Sequence, residues 1–256
     1  MKFFQNIGDI LAQHWQDFLL GVAWTIVISL VSTLIGLLLG LIIGIVRTIP
    51  SSKHTPVRVT QKIINFILTA YIEVFRGTPM MVQAVVIYWG YAFMSGGSTL
   101  PLIPSAIFIV SINTGAYIAE IVRGGIIGID KGQFEGAHSL GMTHFQTMYH
   151  VVIPQVMKSI LPAVSNEFVI NIKDTSVLNV IGVTELYFFM AVTVKQTYKN
   201  FEVYLIGCIL YFILTFSITR IIKLIEKKIV GKSHYSLYSS NAIGELKDPK
   251  EMEASV

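Results

Sequence analysis

The sequence predicts an all-α integral membrane protein with about five transmembrane helices, and three observations lead there. Apolar residues make up 53% of the 256 residues and charged residues only 13%, against about 25% charge in ordinary soluble domains. So few charges cannot clothe a globule of this length in a wettable surface, and lipid must replace water over much of the exterior. Long charge-free runs recur along the chain, and the lysines and arginines gather in alternate segments between them. The formal charge of +4 is spread over those segments, whereas a nucleic-acid binder would collect it on one solvated face. The one cysteine, Cys208, lies inside an apolar run, which excludes a disulfide framework and a thiolate metal site.

The first run, Phe18 to Val46, carries no charge and exceeds the roughly 20 residues a helix needs to cross the hydrocarbon core. It is too long for a signal-peptide core, and no small-residue cleavage site follows it, so it is expected to stay in the mature chain. Ser32, Gly36, Gly40 and Gly44 recur at every fourth residue within it and line one helical face, a surface that lets a second helix approach closely. The next apolar region, Ile63 to Met94, is interrupted by Glu73, Arg76, Gly77 and Pro79. Its first part reads as a surface helix or bent lead-in, with the crossing proper from Pro79 to Met94 and Trp89 and Tyr91 in the aromatic belt. Further crossings are expected from Pro104 to Gly125, from Ile160 to Val183 and from Tyr204 to Thr219.

Basic residues orient these spans. Arg47, Lys53, Arg58 and Lys62 follow the first crossing, Arg123 and Lys131 the third, and Arg220, Lys223, Lys227, Lys228 and Lys232 the fifth. With an odd number of crossings these sets share one side, which places the N-terminus outside and the C-terminus in the cytoplasm. Residues 1–17 then form an extracytoplasmic segment, 18–230 the membrane domain with a cytoplasmic loop at 130–155, and 231–256 a charged tail of disordered composition.

The third and fourth crossings carry polar residues at helical spacing. Asn113, Tyr117 and Glu120 share one face by their i, i+4, i+7 positions, and Glu167, Asn171 and Asp174 repeat the pattern beside Asn166 and Lys173. A charge at bilayer depth costs several kcal/mol, so these residues point to a pathway or binding site facing the bundle interior. The competing explanations are that Lys173 pairs with an acid to lock two helices, or that Glu120 and Lys173 snorkel to an interface.

The loop between those crossings reads Glu135-Gly136-Ala137, three residues, Gly141, nine residues, then Val151-Val152-Ile153-Pro154. A short helix ending near Gly141 turns sharply where glycine takes positive φ. A second short helix follows, and Pro154 opens the next element, where its missing N–H costs little. Leu140, Met142 and Phe145 make the resulting knob amphipathic, which suits docking to a partner. On these residues alone, an interfacial helix resting on lipid fits equally well.

That loop resembles the EAA motif of bacterial ABC-importer permease subunits, departing from it at Gly136 and at the conservative Val151 and Ile153. Glu73-Val74-Phe75-Arg76-Gly77-Thr78-Pro79, Ala116-Tyr117-Ile118-Ala119-Glu120-Ile121-Val122-Arg123-Gly124-Gly125 and Lys173-Asp174-Thr175-Ser176 are similar to stretches of the polar amino-acid branch of histidine and glutamine permeases. The resemblance spans roughly Gly21 to Lys228. It implies a pair of permease subunits, identical or homologous, on a cytoplasmic ATPase dimer, fed by an extracytoplasmic amino-acid-binding protein at a bacterial inner membrane. Glu135, Gly136, Ala137, Leu140, Gly141 and Pro154 would then form the coupling element against the ATPase. The chain has no Gly-x-x-x-x-Gly-Lys-Ser/Thr phosphate loop, so ATP and Mg are expected on the partner, with no cofactor and no catalytic site here.

An α-amino acid presents an ammonium and a carboxylate. The expected substrate residues are therefore Glu167 and Asp174 for the cation, with Asn113, Tyr117, Asn171, Lys173 and Thr175 completing the pocket. The alternative is a secondary transporter driven by an ion gradient, a class that often shows repeated halves; none is evident here. A metalloenzyme is disfavoured, because the histidines at positions 14, 54, 138, 144, 150 and 234 lie outside the predicted crossings.

Overall fold

The stripe of small residues on the first crossing sets the centre of the structure. In the computed structural model, which describes residues 2–230, helix α1 (Lys2–Val46) makes its most extensive contact with α4 (Leu102–Ile127). Gly36, Gly40 and Gly44 face Thr114, Ile118 and Val122 of α4 in register. A methyl group on Gly40 would lie 2.6 Å from Ile118 Cγ2 and 2.9 Å from the backbone nitrogen of Ala119, so only glycine allows this approach. Ser32 adds a hydrogen bond of 3.2 Å from its hydroxyl to the Ile107 carbonyl.

The remaining elements wrap this pair. Helix α2 (Thr55–Gly77) ends at an extended two-residue break, Thr78–Pro79, and α3 (Met80–Met94) continues beyond it. After α4 come the short helices α5 (Lys131–Ser139) and α6 (His144–Thr147), then a π-helical turn at Met148–Val152 that runs into α7 (Ile153–Asp174). A 3-10 segment, Thr175–Ile181, leads to α8 (Leu186–Thr197) and then α9 (Asn200–Val230). All regular structure among the described residues is helical.

Two apolar clusters divide the interior along α4. Ala106, Ile109 and Val110 join Ile28, Tyr88 and Leu178 at one end, and Ile118, Val122 and Ile126 join Met148, Val152 and Val156 at the other. A third cluster, built on Phe18, Leu186, Met190 and Val203, fastens α8 and α9 to α1.

The elements differ in extent from those expected. Among the described residues, three helices are long and apolar enough to cross a membrane (α1, α4 and α9), or four if the continuous run His144–Ile181 and α8 count as one span bent by 53°. Helix α3 has 15 residues, short of a crossing by itself. The leading residues 2–17 continue α1 without interruption. The fourth crossing leaves α-helical geometry at Asp174 and finishes as the 3-10 segment. Helix α8 fills most of the interval before the fifth element, with Lys195 in its last turn and Lys199 in the link to α9. The fifth element is longer than Tyr204–Thr219 at both ends. The proposed tail at 231–256 lies outside the described residues.

Candidate functional site

Between the two apolar clusters on α4 lies a polar belt, and the α2–α3 break opens beside it. Pro79 ends α2 because it offers no N–H and restrains Thr78 to extended backbone. Arg76, in the last turn of α2, stands over the Tyr117 ring of α4 with its guanidinium carbon 5.3 Å from the ring centre. That is cation–π distance. One turn earlier on α4, Asn113 donates from Nδ2 to Gln83 Oε1 at 2.9 Å and to the Phe75 carbonyl at 3.3 Å. Both expected α4 residues therefore meet the broken helix.

Helix α7 brings the carboxylates. Glu167 lies close enough to Arg76 and to Asp174 for their charges to interact, and Asp174 interacts in the same way with Lys173. Neither acid is fully exposed, and Lys173 is exposed. Among the described residues, none of Arg76, Glu167, Lys173 and Asp174 forms an ion pair; the pairs present are His14–Asp17, Arg47–Glu120 and Arg123–Glu120. The cluster thus holds two carboxylates and a guanidinium not paired with one another, the complement of an ammonium and a carboxylate on one ligand.

Two expected residues face elsewhere. Asn171 is 3% exposed, and its amide is taken up by Thr33 Oγ1 at 2.8 Å and Thr114 Oγ1 at 3.0 Å. It knits α7 to α1 and α4. Thr175 is buried and turns its hydroxyl back to the Ile172 carbonyl at 3.0 Å. Glu120 pairs with Arg47 at the end of α1 and with Arg123, 2.9 Å away, so this charge fastens helices.

Three residues emerge only from the structure. Arg76 and Gln83 are brought into the belt by the α2–α3 break. Glu185 is completely buried (0% exposed); it caps α8 by accepting from Phe188 N at 2.9 Å, and accepts from the Tyr211 hydroxyl at 3.0 Å and the Thr25 hydroxyl at 3.4 Å. It joins α1, α8 and α9 through one carboxylate. The signal for Glu185 in the sequence is an acid set between Val183 and the apolar run from Leu186.

The second region is the loop between α4 and α7. Asp130 caps α5, accepting from Gly132 N at 2.6 Å. Gly141 ends the α5 turn at φ +77°, with Met142 N donating to the Ala137 carbonyl at 3.1 Å, the left-handed termination that glycine favours. Thr143 and Gln146 cap α6 reciprocally. Inside the knob, Ala137 and Met148 are buried and Phe134 packs on the cluster around Val152, which fastens it to the bundle. Outside, Leu140 is 83% and Phe145 77% exposed, and Phe145 stacks on Tyr149 with centroids 6.3 Å apart. Glu135 and Gly136 are exposed on α5, and Pro154 stands exposed in the first turn of α7. Five of the six expected coupling residues thus fall on one compact projection, with Ala137 inside it, and Pro154 lies at the start of α7 beyond it.

Comparison with known proteins matches these features. Residues 36–231 fit the family described as binding-protein-dependent transport system inner membrane component. The L-cystine transport system permease TcyB of Bacillus subtilis is 32% identical over 223 residues, covering 86% of this chain and 90% of that protein. The glutamine transport system permease GlnP of Escherichia coli K12 is 33% identical over 166 residues, 65% of this chain and 76% of the relative. A crystal structure of an amino acid ABC transporter with histidines superposes with a TM-score of 0.74 at 36% identity, covering 85% of this chain and 96% of that one. An inward-facing MetNI methionine ABC transporter shares the fold, with a TM-score of 0.64 at 18% identity over 83% of this chain and 97% of the other. The chain belongs to the family of binding-protein-dependent transport system inner membrane components.

Proposed function

We propose that this chain is the membrane-spanning permease subunit of an ATP-binding-cassette importer that carries polar amino acids into the cytoplasm. The observation that carries the reading is the knob from Lys131 to Thr147, anchored from inside by Phe134 and Ala137 and presenting Leu140 and Phe145 outward. An apolar projection on so short a helical base suits the groove of a separate ATPase better than open solvent. Two permease subunits, an ATPase pair that uses ATP and Mg, and an extracytoplasmic binding protein complete the assembly in a bacterial inner membrane. In this arrangement α2 and α3 form one broken crossing and α7, the 3-10 segment and α8 another. These with α1, α4 and α9 make five, with the N-terminus outside and the C-terminus inside.

The polar belt supports the substrate class. Glu167 and Asp174 receive the ammonium or a cationic side chain. Arg76 takes the carboxylate beside Tyr117 and Asn113, while Lys173 contributes charge at the rim; Asn171 and Thr175 stand behind the site, Asn171 holding α7 to α1 and α4. The relatives' names, a cystine and a glutamine permease, agree with that chemistry.

Proteoliposomes holding the chain with its ATPase and binding protein test the reading. Uptake of a labelled amino acid is expected to need ATP hydrolysis on the knob side and to ignore ionophores. Uptake that survives ATP depletion and collapses with an ionophore would establish the ion-driven alternative instead.

A further inference from the structure

The α2–α3 break leaves the last carbonyls of α2 without helical donors, and that of Phe75 is buried against α4 by side-chain amides. Phe75 would bond to the nitrogen of residue 79, but that residue is Pro79, which has no N–H. Gln83, one turn into α3, supplies the donor. Its Nε2 lies 2.9 Å from the Phe75 carbonyl, 2.9 Å from the Thr78 carbonyl and 2.8 Å from the Thr78 hydroxyl. Two amide hydrogens are shared among three acceptors. Its Oε1 accepts from Asn113 of α4 at 2.9 Å. The side chain is 7% exposed, so water does not replace these bonds.

Arg76 sits inside the segment that this amide spans, between Phe75 and Thr78, with Asn113 Nδ2 a second and longer donor to the Phe75 carbonyl at 3.3 Å. Asn113, which holds the amide, is one helical turn from Tyr117, the ring beneath Arg76. We propose that Gln83 is a positioning residue: it closes the helix break against α4, fixes Arg76 over Tyr117, and so sets the selectivity for a substrate carboxylate. This inference rests on the reading of Arg76 as the residue that receives that carboxylate. A guanidinium held in one orientation presents its fork of donors to a carboxylate, and an amide-terminated analogue gains little from it. Release of the break lets Arg76 swing and blunts the distinction without removing the charge.

The test uses the permease–ATPase complex without binding protein, so that the discrimination measured belongs to this chain. L-Glutamine, L-arginine and L-cystine are each titrated beside their α-carboxamides. The unmodified complex is expected to favour at least one free amino acid over its amide by at least tenfold. Gln83→Leu should reduce that preference below threefold while basal ATP hydrolysis stays within twofold; Gln83→Glu, which keeps volume and the acceptor for Asn113, should fall between. Arg76→Gln should abolish the preference. If Arg76→Gln abolishes it and Gln83→Leu leaves it intact, or weakens both ligands equally, the positioning role is overturned and the site stands. If Arg76→Gln leaves it intact, or the unmodified complex shows no such preference, the site reading itself falls and takes this role with it. Failure of both Gln83 variants to assemble would make the residue a fold requirement and overturn the proposal as well.

Discussion

Arg76 lies over Tyr117, the guanidinium carbon 5.3 Å from the ring centre, and this pair ties the broken helix to α4 at the level of the polar belt. The aromatic face stabilises the charge by about 0.5–2 kcal/mol and leaves the edge of the guanidinium available to a ligand. A functional consequence follows for each partner in the belt.

Replacement of Arg76 by Gln is expected to lower amino-acid uptake in proteoliposomes at least tenfold, with the ATPase still co-purifying. Arg76→Lys should recover only part of the rate, since an ammonium stacks less well and lacks the planar fork. Equal transport by Lys and Arg would show that the planar group is not used.

Glu167→Gln and Asp174→Asn remove the two carboxylates of α7. Each should cost about tenfold or more in uptake, the scale of one charge-assisted contact, while ATPase binding is unchanged. Normal uptake by both single variants would remove these acids from the pathway.

Gly40→Ala tests the central helix pair. The added methyl meets Ile118 Cγ2 at 2.6 Å and the Ala119 nitrogen at 2.9 Å, so the helices must part. A loss of about 1–3 kcal/mol is expected from such overpacking, read as a lower melting temperature of the purified complex. Gly124→Ala on α4, with nothing within 4 Å of the added atom, is the control and should melt as the parent does.

Glu185→Leu strands the hydroxyls of Thr25 and Tyr211 and the Phe188 N–H. Unsatisfied buried donors cost about 1–3 kcal/mol, so this variant should melt below the parent. Glu185→Gln keeps an acceptor oxygen and should melt between them. Identical melting of Leu and Glu variants would show that the clasp carries no stability.

Much of the fold was legible in the sequence because glycine spacing and charge-free runs report directly on helix packing in lipid. The stripe Ser32–Gly36–Gly40–Gly44 does meet another helix, and the loop from Asp130 to Pro154 does fold as short helices turning at Gly141. What escaped was the set of residues whose role depends on where a helix breaks. Gln83 finds its partners because the chain breaks at Thr78–Pro79, which turns the Phe75 and Thr78 carbonyls toward its amide. Arg76 joins the belt because α2 ends beside Tyr117. Helical periodicity placed Asn171 on the face of Glu167 and Asp174, yet its amide is consumed by Thr33 and Thr114. A face read from one helix does not reveal what stands opposite it. Helix α8 was hidden for a related reason: its 12 residues are too few to register as a crossing and are set off by the bend after the 3-10 segment.

The side of the membrane on which the knob emerges, and what covers it there, decide the coupling role. Leu140→Cys, made with Cys208→Ser so that the chain carries one thiol, can be labelled with a membrane-impermeant maleimide in intact cells and in inverted vesicles. Labelling is expected only in inverted vesicles, with protection when the ATPase is bound. Labelling from outside intact cells, or a rate unaffected by the ATPase, would contradict the coupling role.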